Sequence, residues 1–433
     1  MYSNLKNTKC IFAYGGITVR AHGGIKPCCH MVGTGVSNKQ PIWDREYTDS
    51  NWLNNLKDNL NNGIKDKQCI KCWDLEKSGL DSARTGLGNR LYNAGLITEQ
   101  PWSYVDLCLG SKCNLMCTMC TGSSSSLIAK EQWENKEEDW PEYKDQSFNN
   151  NYKLGGWTDK LQWWENPKFY ELIKLNAEHI RTLKFTGGEP TTIPNVHKLM
   201  RWMIKSGHSK HIDICITTNG TYKGTDLYET MCEFKSANLT FSVEGTEDVY
   251  NYIRYPHTWK RWTRNIKNAQ VYRGEIKIRY QVTVSPFNLF NIKELAIWLN
   301  EEGGVKHSEN SYRGRKYHHN QNPNFEGGVK HNQNSYHENF VNNPKYHNIR
   351  YLPRDTLERA IEYLKDGDRV LCSRTTKFIT GRPDISEIEL KTVQYELKRD
   401  TLIKDKLRTK RSNYDSIDNN KLRLKDLFSK MPN

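Results

Sequence analysis

Trp102-Ser103-Tyr104-Val105-Asp106-Leu107-Cys108-Leu109 runs through Gly110-Ser111-Lys112 into Cys113-Asn114-Leu115-Met116-Cys117-Thr118-Met119-Cys120. The first eight residues alternate well enough to predict a strand, and the three cysteines then fall in the loop that follows it. Reactive side chains are thereby placed at a strand's C-terminal end. Three thiolates at this spacing suit a four-iron cluster with one iron left open to a small molecule, whereas a fully ligated cluster only relays electrons. The same spacing taken alone also fits a zinc site, so the neighbouring sequence has to decide.

Downstream, Thr182–Thr186 reads as a second strand ending in Gly187-Gly188-Glu189-Pro190, and Ile212–Ile216 as a third ending in Thr217-Thr218-Asn219-Gly220. A fourth, Leu239–Val243, ends in Glu244-Gly245, and a fifth, Ile276–Val284, runs into Ser285-Pro286-Phe287-Asn288. Helices expected near Tyr170–Ala177, Val196–Ser206 and Ile292–Asn300 alternate with these strands, which predicts an α/β fold around a parallel sheet. In such folds the chemistry sits at the C-terminal strand ends, where every one of these polar motifs falls. The polar stretch Ser123–Trp164 reads as a helix plus an insertion, with Trp163, Trp164 and Phe169 packing locally. A later helix is expected over Asp355–Leu364 with Asp355 as its N-cap.

The 433 residues suffice for one large α/β domain with appended modules, and 36% hydrophobic residues leave room for long polar loops. No run of about 18 apolar residues occurs, and Met1–Ala13 lacks the apolar stretch of a signal peptide, so a cytoplasmic protein away from membranes is expected. Twelve cysteines in a reducing compartment point to metal ligation rather than a disulfide framework. The net charge of +14 suits a polyanionic partner or a pocket for an anionic substrate. Much of it lies in the charged helix or tail Lys391–Lys430, which reads as a solvated face. Between them, Gly303-Gly304-Val305-Lys306-His307 returns as Gly327-Gly328-Val329-Lys330-His331. This is a local duplication, and its histidines (His307, His318, His319, His331, His337, with His347 beyond) lack fixed ligand spacing.

The cysteine triad after the first strand, Gly-Gly-Glu-Pro after the second and the later strand-end motifs together resemble the core of the radical S-adenosylmethionine (radical SAM) superfamily. The resemblance covers about Pro101–Asn300 and implies a partial (β/α)6 TIM-type barrel. It implies that Cys113, Cys117 and Cys120 ligate a [4Fe-4S] cluster whose fourth iron is chelated by S-adenosylmethionine. An external one-electron reductant then feeds the cluster. Gly187, Gly188, Glu189 and Pro190 would meet the methionine end of that molecule, with Glu189 accepting from its ammonium. Thr218, Asn219, Ser242 and Glu244 would border its ribose and carboxylate. Arg254 or Arg279 would neutralise a carboxylate of this molecule or of the substrate, the alternative for either being a simple salt-bridge partner. Met119 stands where the family usually places an aromatic residue against adenine.

The first hundred residues carry Cys10, Cys28 and the pair Cys69-Ile70-Lys71-Cys72. This resembles the auxiliary modules called SPASM and twitch domains, although those usually follow the core. The resemblance implies a second [4Fe-4S] cluster on Cys10, Cys28, Cys69 and Cys72. Structural zinc is the alternative occupant, and Cys29 or His30 are alternative ligands. Glu76, Ser82 and Arg84 are expected to tie this module to the core. Cys108, Cys215 and Cys232 read as buried thiols, while Cys372 stays open between the substrate pocket and no role. The expected organisation is an auxiliary module at 1–100, the radical SAM core at 101–302, the repeat-containing loop at 303–350 and a C-terminal extension with a basic helical tail at 351–433. An enzyme acting on a peptide or protein is the function the auxiliary module implies. Nucleic-acid modification and a non-catalytic iron–sulfur or zinc interaction protein are the alternatives.

Overall fold

Short alternating runs become strands only where a neighbour satisfies their backbone, and helices follow where apolar residues recur every three to four positions. In the computed structural model, the described residues are 8–21, 23–33, 47–77, 81–122, 124–135, 138, 140, 163–304, 335–340, 347–367, 371–381 and 384–411. Two compact units are present, Met1–Met116 with Cys120–Leu239, and Cys117–Met119 with Thr240–Asn433.

The first unit is built on β1 (Gly16–Val19), β2 (Ile25–Lys26), β3 (Tyr104–Leu109), β4 (Thr182–Gly187) and β5 (Asp213–Thr218). They lie in the order β2-β1-β3-β4-β5. β2 is antiparallel to β1, and the other pairs are parallel. The register aligns Ile17, Val105, Leu183 and Ile214 in one row and Val19, Leu107, Phe185 and Ile216 in another. All eight are essentially inaccessible to solvent, and each contributes about 1.5–3 kcal/mol by leaving water. The alternate positions form a polar row, Thr18, Asp106, Lys184 and Cys215, in which Lys184 Nζ stands 3.2 Å from Asp106 Oδ2. The helix Pro167–Leu175 starts where Asn166 accepts from the Lys168 N–H at 3.0 Å. The helix Pro194–Lys205 buries Val196, Leu199, Met200 and Met203 at helical spacing and stops before Gly207. Trp163 packs edge-on against both Trp164 and Phe169, as the sequence predicts.

The second unit takes up the chain through β6 (Ser236–Ser242) and β7 (Ile276–Val284), with β8 (Ser335–Phe340) parallel to β7 from Arg279↔Ser335 to Val284↔Phe340. β7 alternates buried and half-buried residues along its whole length. Its core is aromatic. Trp259 stacks on Trp262 with centroids 5.2 Å apart, and Trp298 meets both from the helix Ile292–Glu301. Three further helices follow, Arg354–Leu364, Leu371–Thr380 and Glu387–Arg411. The expected N-cap at Asp355 is corrected: Pro353 holds the cap and Asp355 lies in the first turn, where its charge favours the helix N-terminus. His307, His318, His319 and His331 lie outside the described residues, as does the tail beyond Arg411. The fold class is α/β with mostly parallel strands, as a partial barrel requires.

His347 and Asp400 are both fully buried, with Nε2 and Oδ2 3.1 Å apart, and Lys404 Nζ reaches the same oxygen at 2.7 Å. Burial pushes the His347 imidazole below its ordinary value, and the Lys404 charge adds to this against the pull of Asp400. The folded state therefore holds a neutral imidazole where the unfolded chain takes up a proton below about pH 6.5. Stability is expected to fall by up to roughly 1.4 kcal/mol per pH unit as pH drops through that value, until the folded imidazole itself titrates. Denaturant midpoints between pH 7.5 and 5.5 check this, with His347→Gln flattening the slope.

Candidate functional site

β3 and β4 end side by side, and their continuations stay zipped. The Gly188 N–H donates to Gly110 O at 3.0 Å and the Glu189 N–H to Lys112 O at 2.8 Å. This contact is why glycines stand here. A Cβ on Gly188 would meet Lys112 O at 2.2 Å, and one on Gly187, at φ +121°, would meet Leu109 N at 2.6 Å. The obstacles are backbone atoms that cannot swing aside. Gly188→Ala is expected to cost about 1–3 kcal/mol from overpacking alone, read as a lowered denaturant midpoint. The sequence reading gave these glycines to the approach of S-adenosylmethionine; what they admit in the structure is the cysteine loop's own backbone.

The loop is pinned from its far side as well. The Cys113 N–H donates to Ser126 Oγ at 3.3 Å, the Ser126 N–H to Ser111 O at 2.7 Å, and Ser125 Oγ to Leu115 O at 2.6 Å. Ser125 also caps the helix Ser126–Glu134, so the helix start and the loop fix each other. The serine run before that helix was the signal for these contacts.

Glu189 is fully buried. Its Oε1 accepts from the Thr191 N–H at 3.1 Å, Thr191 Oγ1 at 2.6 Å and Thr218 Oγ1 at 2.8 Å, and its Oε2 from the Asn219 N–H at 2.6 Å. Burial pushes this carboxyl above its ordinary range, and the four donors pull it back. A carboxylate offers about four lone-pair sites, and these four bonds make Glu189 an internal tie between the ends of β4 and β5. Pro190 follows it as the first residue of a single 3-10 turn. Asn219 extends the tie. Its Nδ2 donates to Asn114 Oδ1 at 2.9 Å and lies 3.8 Å from Cys113 Sγ, and its Oδ1 accepts from Thr221. An amide N–H beside a thiolate is the arrangement that steadies a sulfur ligand. Cys113 and Cys120 are both half-buried.

In the second unit Cys117 and Thr118 are buried, and Met119 is half-buried. The Thr118 N–H donates to Ile253 O at 3.0 Å. The next residue, Arg254, forms a two-pronged pair with Glu244, its Nη2 2.5 Å from Oε1 and its Nε bonded to Oε2. Burial works against the Arg254 charge, yet the Glu244 carboxylate and then a Cys117 thiolate hold it up. Arg254 thus serves Glu244 and the neighbourhood of Cys117 together. Ser242 ends β6 half-buried, and Arg279 sits on the half-buried side of β7.

The N-terminal cysteines gather in the first unit. Cys10 and Cys28 pack on one small apolar cluster of Ile11, Phe12, Ile97 and Tyr104. The loop after Cys28 bonds to the turn bearing Cys69, Val32 N–H to Gln68 O at 2.8 Å, and Cys72 is buried on the helix Ile70–Lys77. Burial, with a contribution from Cys72, pushes Cys10 up to about 11, and burial, then Cys10 and Cys72, pushes Cys69 up to about 12. Burial and then Cys10 push Cys28 up as well. Arg84 secures the arrangement: it is paired with Glu76, donates to Lys9 O at 3.0 Å and lies over the Trp73 ring. Ser82 Oγ donates to Glu76 at 2.6 Å. Glu76, Ser82 and Arg84 thus tie the N-terminal segments to one another.

All twelve cysteines are free thiols. Among the described residues, no group of three or more His, Cys, Asp or Glu side chains is drawn together closely enough to hold a metal ion. Nor, among them, is any helix long and apolar enough to cross a membrane.

Parallel strands carry a free-cysteine loop and a Gly-Gly-Glu-Pro turn at their C-terminal ends, which places the chain in the α/β class. Residues 107–283 match the family model of the radical SAM superfamily. Among solved structures, native anSMEcpe with bound AdoMet is 16% identical, with 45% of this chain and 47% of that one covered and a TM-score of 0.30. The same protein with AdoMet and the Cp18Cys peptide is 17% identical, covering 45% and 46% at a TM-score of 0.29. TYW1 with a lysine-pyruvate adduct is 16% identical, covering 43% and 57% at 0.24. The chain spans about half the length of these structures. No curated protein matches it.

Proposed function

We propose that the protein cleaves S-adenosylmethionine reductively at a [4Fe-4S] cluster held by Cys113, Cys117 and Cys120, and uses the resulting 5'-deoxyadenosyl radical to take a hydrogen atom from a peptide or protein. The observation that carries this reading is the doubly anchored cysteine loop, zipped to Gly188 and Glu189 on one side and to Ser125 and Ser126 on the other. The cluster, when bound, supplies one electron to the sulfonium of S-adenosylmethionine. The chain's own residues do the holding: Asn219 orients Cys113, Glu189 fixes Asn219, and Arg254 with Glu244 sets the charge near Cys117. Thr218 is engaged by Glu189, so Ser242, Met119 and Arg279 are the residues we assign to contacts with S-adenosylmethionine or substrate. Prepositioning of this kind replaces an entropic cost at the moment of reaction.

We assign Cys10, Cys28, Cys69 and Cys72 to a second [4Fe-4S] cluster. The apolar cluster under Cys10 and Cys28, and the Val32–Gln68 bond that ties the loop after Cys28 to the turn of Cys69, support one four-thiolate site. Iron, sulfide and zinc content after anaerobic reconstitution, with 5'-deoxyadenosine measured on the same sample, tests both assignments. About eight irons per chain with cleavage supports them. About four irons plus one zinc removes the second cluster, and zinc without cleavage overturns the function. Cys69→Ser with Cys72→Ser is expected to remove about half of the iron while 5'-deoxyadenosine formation continues; loss of all iron would refute separate sites.

A further inference from the structure

The helix Glu387–Arg411 lies well beyond residues 107–283, yet it reaches the cysteine loop. Lys404 Nζ donates to the carbonyl of Thr118 at 2.9 Å. The Thr118 N–H is already bonded to Ile253 O, so both polar backbone atoms of the residue after Cys117 are held. Among the described residues Thr118 Oγ1 is buried without a hydrogen-bond partner, so the two backbone bonds are what place this residue. The same helix also steadies the Ile253 side. Arg408 Nη1 donates to Tyr252 O at 2.9 Å and its guanidinium lies over the Tyr252 ring, while Tyr252 Oη donates to Asp405 at 3.0 Å.

Lys404 is an expensive residue to bury. Its side chain is 4% exposed and Asp400 is completely enclosed. A buried ion pair usually gains little over apolar residues of equal volume, because desolvating two charges offsets their attraction. Stability alone therefore gives no reason for a lysine here. The direction of the pair gives one: the ammonium, not the carboxylate, points at Thr118, and His347 takes a further hydrogen bond with the same Asp400 oxygen.

We propose that Lys404 is a positioning residue for Cys117, seating the Cys117–Met119 segment and placing a positive charge that makes the nearby cluster easier to reduce. The inference rests on the radical SAM reading for its second half only. A cation beside a site that gains an electron favours the reduced form. The C-terminal helix is thereby a working part of the cysteine loop.

The full chain carrying Asp400→Asn with Lys404→Met removes both charges together, and Lys404→Arg keeps the charge, the pairing and a donor. Two quantities decide: hydrogen exchange of residues 117–119 in the cluster-free chain, and the midpoint potential of the reconstituted cluster followed by electron paramagnetic resonance. In the double variant, exchange is expected to rise about tenfold, as loss of one charge-assisted hydrogen bond allows. The equilibrium constant for cluster reduction is expected to fall about tenfold, a shift of about 59 mV to lower potential for one electron. Lys404→Arg is expected to keep both near the unsubstituted protein. An unchanged value of either quantity in the double variant overturns the proposal, as does an equal shift in Lys404→Arg. A cluster that forms but yields no 5'-deoxyadenosine would sink the radical SAM reading while leaving the exchange result standing.

Discussion

Cys117→Ala is expected to bring 5'-deoxyadenosine formation below detection, with iron falling by about half after reconstitution. The cluster has only three protein ligands, so no spare thiolate takes over. Cys108 is the nearest other cysteine before the loop, but it belongs to β3, is held by the sheet and cannot move to replace a loop residue. The iron expected to remain is that of the proposed N-terminal four-cysteine site, which the substitution does not touch. Iron determination and a chromatographic assay on one sample read both quantities. Cleavage retained at even a tenth of the unsubstituted rate would refute the assignment of Cys117.

Glu189→Ala is expected to destabilise the first unit by about 3 kcal/mol or more, since it strips four buried donors of their acceptor. Two of those donors belong to Thr191, one is Thr218 Oγ1 and one is the Asn219 N–H. Asn219 also steadies Cys113, so the variant is expected to lose iron from the loop before it loses its fold. Glu189→Gln separates the two effects. One amide oxygen can still serve the three donors at Oε1, while an NH2 in place of Oε2 faces the Asn219 N–H donor to donor. A smaller loss of stability with a similar loss of iron is the expected pattern, read by denaturant midpoint and iron content. If Gln matches the unsubstituted protein in both, the Oε2 bond has no role in holding the loop.

Much of the architecture was legible because its signals are local. Ile276–Val284 alternates perfectly and is β7 from end to end. The polar motifs after β3, β4 and β5 announce strand ends by their glycines and hydroxyls. What stayed hidden depends on partners far away in sequence. Gly16–Val19 is too short to read as a strand, and it becomes one by pairing with Tyr104–Leu107. β8 likewise forms only against β7. The internal bonds of Glu189 were not legible, because a motif shows which groups are present, not that Thr191, Thr218 and the Asn219 amide donate to them. Lys404 was read as part of a solvated basic stretch, since nothing in its neighbours reveals that its ammonium is enclosed beside Thr118.

The stretch Gly110–Lys112 that leads into Cys113 is held through its main chain, by the carbonyls of Gly110, Ser111 and Lys112. The Lys112 side chain itself stands half exposed, with only a loose pair to Glu165 at 3.4 Å. Side-chain identity at this position is therefore uncoupled from loop geometry. A genetically encoded vibrational or fluorescent reporter at residue 112 would sit one residue from Cys113 without disturbing it, giving an optical readout of what happens at that thiol.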